Sequence, residues 1–449
     1  MDQASAGASP RAFKVTNREV LGIAVPMTLA YLTTPLIGLT DTAVVGQLND
    51  AALLGGLAVG AITFDVVFGT FNSLRSGTTG LVAQALGRGD RKEEAAVLLR
   101  AVALALFVGI MLVLLTPVTI RVANHLIDPA PEVAAAMAVY VGIRMLAAPL
   151  TLTNYALLGY ILGRGEGKFA LALQIVVNGV NIVLSIILGL KLGWGIEGVA
   201  WGTVAGEAVG VIIGGGLLIR RLRAESIEWA RVLNLFAMKQ MLALNRDIMI
   251  RSFALLAAFA LFTRQGAQLG TVTLAANAIL MNFFLLAGYF LDGFATAAEQ
   301  LAGRAVGARY RAAFKRAIVL SSIWGFVLAF VLAAILMISG ETFIRLLTTA
   351  EDVRAAAFEF LPWAALTSVS GVLAFQMDGV YIGATWSRDM RNMMLLSLAI
   401  YAACMFALDG TLGNAALWLS LHVFLIVRGL SLLALLPART RLAFDQPSG

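Results

Sequence analysis

Asp41 is the residue whose chemistry most needs explaining. It lies in the run from Val20 to Val45, in which every other residue is uncharged. Twenty-six residues span roughly 39 Å as a helix, enough to cross a hydrocarbon core of about 30 Å. A carboxylate at that depth costs a few kcal/mol, so it is kept where it faces protein, water or a ligand. Met27, Tyr31, Thr34, Gly38 and Asp41 step by three and four residues and share one helix face. Pro26 and Pro35 lie on the same stretch, and each removes an amide donor and favours a bend. The pattern predicts a bent helix whose one polar, acid-bearing face lines a cavity.

Other polar residues fall inside apolar runs. Tyr140, Asn154, Asn178, Asn181, Ser185 and Thr203 are candidates to surround Asp41, and Asn178, Asn181 and Ser185 share one face of their run. Each also has a plainer reading as interhelical hydrogen-bond glue. Further along, Asp292 and Glu299 lie seven residues apart, and Asp378 precedes a glycine as Asp292 does. Asp292 and Asp378 are expected to face a cavity. Glu299, nearer an end, has Arg304 as an alternative partner. Asp65, Arg75, Arg144, Glu207 and Arg428 are read as structural pairs or snorkelling charges and left outside the site. Glu207 sits among Gly206, Gly210 and Gly214, a pattern of close helix association.

The rest of the chain must position these groups in a bilayer. Of 449 residues, 60% are hydrophobic and 13% charged, and mean hydropathy is +0.87, which excludes a soluble globule and a disordered chain. One cysteine, Cys404, removes disulfides and thiolate metal sites as organising features. Only His125 and His422 are histidines, and no zinc-protease or serine-elbow motif occurs, so enzymatic chemistry, a metal and a cofactor are not expected. The 163–168 segment is glycine-rich but joins two apolar runs and lacks the spacing of a phosphate loop. Met1 to Asn17 is polar and does not read as a cleavable signal.

Apolar runs predict twelve spans, near 20–45, 53–79, 95–115, 133–162, 169–190, 196–219, 248–262, 273–298, 314–339, 355–382, 393–408 and 415–436. Asp247 and Arg251 crowd the start of the seventh. Lys and Arg concentrate in the loops on the side of both termini, which predicts cytoplasmic termini. The net charge of +7 is explained by those loops and calls for no nucleic acid.

The basic stretch 220–246 divides the spans into halves at 1–219 and 247–449. Gly80 to Gly87 parallels Gln300 to Gly307, and Leu158 to Gly163 parallels Met377 to Gly383, at an offset of about 220 residues. Duplicated units with an even number of spans share one orientation, which predicts two six-helix bundles related by a pseudo-twofold along the membrane normal around a central cleft.

At this point the chain resembles the multidrug and toxic compound extrusion (MATE) family, and within it the DinF-like branch. The likeness rests on Pro26 with Asp41 to Leu48, on Gly193 to Ala200, on Tyr289 to Phe294 and on Asp378 to Gly383. It implies an all-α integral membrane antiporter, without nucleotide hydrolysis, that exports cationic or amphipathic small molecules against inward protons or sodium. By position Asp41 looks like the family's first-helix acid and Pro26 like its bending proline, with Tyr140, Asn154, Asn181 and Thr203 as the surrounding network. Ser185 departs from the second carboxylate or amide often found there, which weakens a sodium site and favours a proton. The expectation is a monomer in a cell membrane, bacterial and inner, with a lipid-precursor flippase as the rival; the membrane acids count against anionic cargo.

Overall fold

The computed structural model describes residues 12–223, 227–408 and 412–445. Most of the polar stretch Met1 to Asn17, residues 224–226 of the expected linker, and the last four residues of the expected second half lie outside them.

The described residues are nearly all helical, about 90%. Its elements are α1 (Asn17–Gly46), α2 (Ala51–Phe71), α3 (Ser73–Arg88), α4 (Arg91–Leu114), α5 (Thr116–Ile127), α6 (Pro131–Leu146), α7 (Ala148–Gly163), α8 (Gly167–Ile186), α9 (Gly195–Leu222) and α10 (Trp229–Val232). There follow α11 (Leu235–Gln268), α12 (Thr271–Gly307), α13 (Arg311–Leu347), α14 (Glu351–Gly383), α15 (Ser387–Leu408) and α16 (Asn414–Phe444). A five-residue π-helical turn, Ile187–Lys191, closes α8.

Local chemistry sets several of these boundaries. Asp50 caps α2 by accepting from the amides of Ala52 and Leu53, and Asp90 caps α4 by accepting from Glu93. Gly89, at φ 69°, ends α3 in the left-handed conformation that a side chain would resist. Pro131 opens α6, and Pro149 lies at the start of α7, where a missing amide costs no helical bond.

Among the described residues, ten helices are long and apolar enough to cross a membrane, with α2 and α3 counted as one. An eleventh span exists if α6 and α7, bent by 51° at their junction, are taken together. The expected seventh span is the exception. It forms as the continuous helix α11, which carries Lys239, Arg246, Asp247, Arg251 and Arg264 and is not among that set. Large apolar side chains such as Ile338, Leu346 and Leu126 are exposed, as befits lipid-facing surfaces of a multi-pass membrane protein.

Two compact units emerge: residues 29–245, and residues 1–28 together with 246–449. The second of these boundaries falls at the end of the linker expected at 220–246. The first falls inside α1, just beyond Pro26, so the opening of this helix packs with the C-terminal elements. There Thr28 donates its hydroxyl to the Phe290 carbonyl at 3.3 Å. In the same unit α12 and α14 pack backbone to backbone: a Cβ on Gly379 would lie 2.2 Å from the Ala295 carbonyl oxygen, and one on Gly383 2.0 Å from that of Glu299. Phe262 and Trp418 form part of its core, edge to face at 5.2 Å, with the indole N–H donating to Asn277.

Candidate functional site

In the unit formed by residues 29–245, α1 brings Asp41 into a buried position, 4% exposed. Its Oδ1 has no hydrogen-bond partner among the described residues. Ser185, fully buried on α8, is the hydroxyl within hydrogen-bonding reach of the carboxylate. A short polar chain continues from there. The Ser185 hydroxyl donates towards Asn181 Oδ1 at 3.4 Å, and Asn181 Nδ2 donates to Thr203 Oγ1 at 3.0 Å across to α9. The Val199 carbonyl accepts from both Ser185 and Thr203, at 3.5 and 3.4 Å. Three of the six expected neighbours, Ser185, Asn181 and Thr203, thus form one hydrogen-bonded string beside the acid. A buried acceptor left without a donor costs about 1–3 kcal/mol.

The other three neighbours are engaged elsewhere. Asn178 donates to Thr33 Oγ1 at 2.5 Å, two turns back along α1. The Tyr140 hydroxyl accepts from Arg144 Nη1 at 2.9 Å. Asn154 donates through Nδ2 to Glu207 Oε2 at 2.5 Å and to the Glu207 carbonyl at 2.9 Å. Arg144 and Glu207 were set aside as structural charges in the sequence, yet they hold two of the expected site residues. Arg144 also covers the Phe64 ring, 4.2 Å from its centroid, in a cation–π contact. It lies within electrostatic reach of Asp41, Asp65 and Glu207. A sequence signal for both existed: Arg144 is one helical turn beyond Tyr140, and Glu207 one turn beyond Thr203.

The acids of the other unit have different surroundings. Asp378 is buried and ion-paired with both Arg251 of α11 and Arg428 of α16. Two arginines on neighbouring helices hold Oδ2 of this carboxylate, while its Oδ1 has no hydrogen-bond partner among the described residues. Arg428 lies near the Phe375 ring, 5.9 Å from its centroid. Asp292 is half-buried and close enough to Arg428 to act on it electrostatically. Glu299 is buried, at 3% exposure. Arg304, the alternative partner for Glu299, approaches Glu19 at 3.9 Å and covers Phe13 at 4.1 Å. Pro26 and Pro35 both lie within α1, which runs without interruption through them.

This is the frame of a helical transporter with an acid buried on its first span, and its kinship agrees. The MatE family model matches residues 26–187 and 248–406, and the chain belongs to that family, whose members are transporters rather than enzymes. It is 38% identical over 424 residues to DNA damage-inducible protein F of Escherichia coli (strain K12), covering 92% of this chain and 90% of that one. With Protein DETOXIFICATION 44, chloroplastic, of Arabidopsis thaliana it shares 26% identity over 425 residues, covering 91% and 80%. In fold it matches the outward-facing conformation of a multidrug resistance MATE family transporter of the MOP superfamily, with a TM-score of 0.88 over 96% of this chain and 97% of that one, at 16% identity. The resemblance carried by Pro26, Asp41 and the later motifs is thereby a family membership.

Proposed function

We propose that the protein is a secondary active antiporter that exports cationic or amphipathic small molecules in exchange for inward protons by alternating access. One observation carries the reading: a buried carboxylate on the first helix, Asp41, with one oxygen free of any hydrogen bond among the described residues. Proton binding neutralises it and changes what it can offer to the nearby Ser185 hydroxyl, and an ion can drive a conformational cycle only if the two end states differ in their affinity for it. Pro26 and Pro35 serve as the hinge of α1. The division of the chain into two units just beyond Pro26 supports this reading.

A proton fits better than sodium for two reasons. Ser185 offers a hydroxyl where a sodium site would want another anionic oxygen. Arg144 puts a permanent positive charge within electrostatic reach of the carboxylate, and a metal ion held only by charge and oxygen ligands is weakened by this more than a proton bonded to oxygen. Asp292 and Glu299 are proposed as cargo-facing acids of the second unit. The similar protein of the multidrug resistance class supports a broad range of cargo, and we place this chain in the bacterial inner membrane as a monomer with both termini cytoplasmic.

The test is ethidium efflux from proteoliposomes holding the purified protein, with proton and sodium gradients imposed one at a time. Efflux driven by the proton gradient alone supports the reading. Efflux driven only by sodium would replace the proton, and leakage that ignores both gradients would remove the antiporter.

A further inference from the structure

Charges inside membrane spans are expensive, and the unit formed by residues 29–245 gathers four of them around one point. Arg144 and Glu207 are half-buried, Asp65 is exposed and Asp41 is buried. A guanidinium and carboxylates that reach the surface of a unit from spans α2, α6 and α9 could not face hydrocarbon cheaply, so that surface has to be wetted or covered by a polar ligand. Three carboxylates act on Arg144, which therefore cannot neutralise them all at once.

We propose that Arg144 is an internal cation exchanged between Asp41 and Glu207, and that Glu207 is the carboxylate that receives the positive group of the cargo. This builds on the proton-antiport reading of Asp41. While Asp41 is ionised it competes for Arg144 and leaves Glu207, held in place by Asn154, with charge to spare for an organic ammonium, pyridinium or guanidinium. The Phe64 and Tyr140 rings beside Arg144 supply the aromatic faces that such cations prefer. When a proton from the medium bonds to Asp41, the attraction between Asp41 and Arg144 ends. Arg144 then turns to Glu207 and displaces the cargo. One proton is taken up and one organic cation leaves, so the charge of the site is conserved. Arg144 acts by displacement and Glu207 by direct contact.

The groups acting on this cluster are Asp41 from α1, Asp65 from α2, Arg75 from α3, Tyr140 and Arg144 on α6, Tyr155 from α7 and Glu207 from α9. On α4 the charged residues stand in its opening turns, where Lys92, Glu93 and Glu94 pair with Glu228, Arg100 and Arg164. On α5, Arg121 and His125 are exposed. Titration of Asp41 is thus the event that moves Arg144, and cargo affinity has to fall as pH falls.

The experiment measures ethidium binding to the purified full-length protein by fluorescence polarisation between pH 5.5 and 8.5. Wild type is expected to bind at least about tenfold more weakly at the acid end, equivalent to about 1.4 kcal/mol. Arg144→Leu should bind as well as wild type or better at pH 8.5, with the pH dependence reduced to less than about threefold. Glu207→Gln, which keeps the shape and one acceptor, should lose about tenfold or more in affinity at pH 8.5. Arg144→Lys should keep the pH dependence. Wild-type affinity in Glu207→Gln, or an undiminished pH dependence in Arg144→Leu, overturns the exchange. If Arg144→Leu does not fold, the isosteric Glu207→Gln decides by itself. Proton-driven efflux by Asp41→Asn separates the two levels: normal efflux there removes the antiport reading and this exchange with it, whereas lost efflux beside normal ethidium binding in Glu207→Gln removes only the exchange.

Discussion

Asp378 of α14 and Arg428 of α16 form a buried ion pair, both side chains under a tenth exposed, with Arg251 of α11 on the same carboxylate oxygen. Asp41, the buried acid of the other unit, has a hydroxyl and a more distant guanidinium in place of two direct arginines. Two acids that look alike in sequence therefore differ in their surroundings: direct guanidinium contacts hold one oxygen of Asp378, and no such contact reaches Asp41 among the described residues. Removing one partner of a buried pair leaves a desolvated charge and costs up to about 3–5 kcal/mol, less where a second cation remains. Arg428→Leu should lower the thermal unfolding temperature in detergent, and Arg428→Leu combined with Asp378→Leu should cost less than the two single losses added, Arg251 then being left without its carboxylate. An additive effect of the two substitutions would show that they are not coupled.

For Asp41 the prediction concerns coupling and not stability. Asn keeps the size of the side chain and its reach to Ser185 but cannot take up the proton. Asp41→Asn should therefore fold normally and lose proton-driven ethidium efflux by at least about tenfold, about 1.4 kcal/mol in the barrier. Full efflux in this variant would show that the coupling proton resides elsewhere.

The contact between α12 and α14 leaves no room for a side chain at Gly383, where a Cβ would stand 2.0 Å from the Glu299 carbonyl oxygen. A backbone neighbour cannot rotate aside, so the helices must separate. Gly383→Ala should destabilise by about 1–3 kcal/mol, visible as reduced yield of folded protein and a lower unfolding temperature. Gly142→Ala, where nothing lies within 4 Å of the added carbon, is the matched control and should behave as wild type.

The segment around α10 is attached to α4 by surface charge. Glu228 accepts from Lys92 and Arg231, and Arg231 reaches Asp90 at 2.7 Å. The hydrogen bonds from Lys92 and then Arg231 hold the Glu228 carboxyl below its ordinary range. A carboxyl depressed in this way contributes its attachment in full above the ordinary carboxylate range. The contribution declines as pH falls through that range and is gone below the depressed value. Amide exchange over 228–233, measured by mass spectrometry, should stay slow at pH 7 and accelerate at pH 3 beyond the intrinsic chemical change. It should accelerate at pH 7 in Lys92→Ala with the unfolding temperature unaltered, because an exposed pair adds little to global stability. Equal exchange in wild type and Lys92→Ala would show that the ion pairs do not hold the segment.

The sequence by itself determined the membrane class, nearly every helix and the importance of Asp41. Long apolar runs can satisfy their backbone only as helices in lipid, and a charge within one is conspicuous because its desolvation is costly. Charge density made the seventh span the weakest in the sequence, and α11 is indeed the long helix of that region that stays outside the strongly apolar set. Partner choice was decided only by the tertiary structure. Helical spacing groups side chains on one face of a single helix, so Asn178, Asn181 and Ser185 looked equivalent. Packing sent Asn178 to Thr33 and kept Asn181 and Ser185 beside the acid. Arg144, Glu207 and Arg428 read as structural pairs or snorkelling charges without named partners for the same reason: what a buried charge does depends on which groups neighbouring helices bring within a few ångströms, and that proximity is a property of the packed chain.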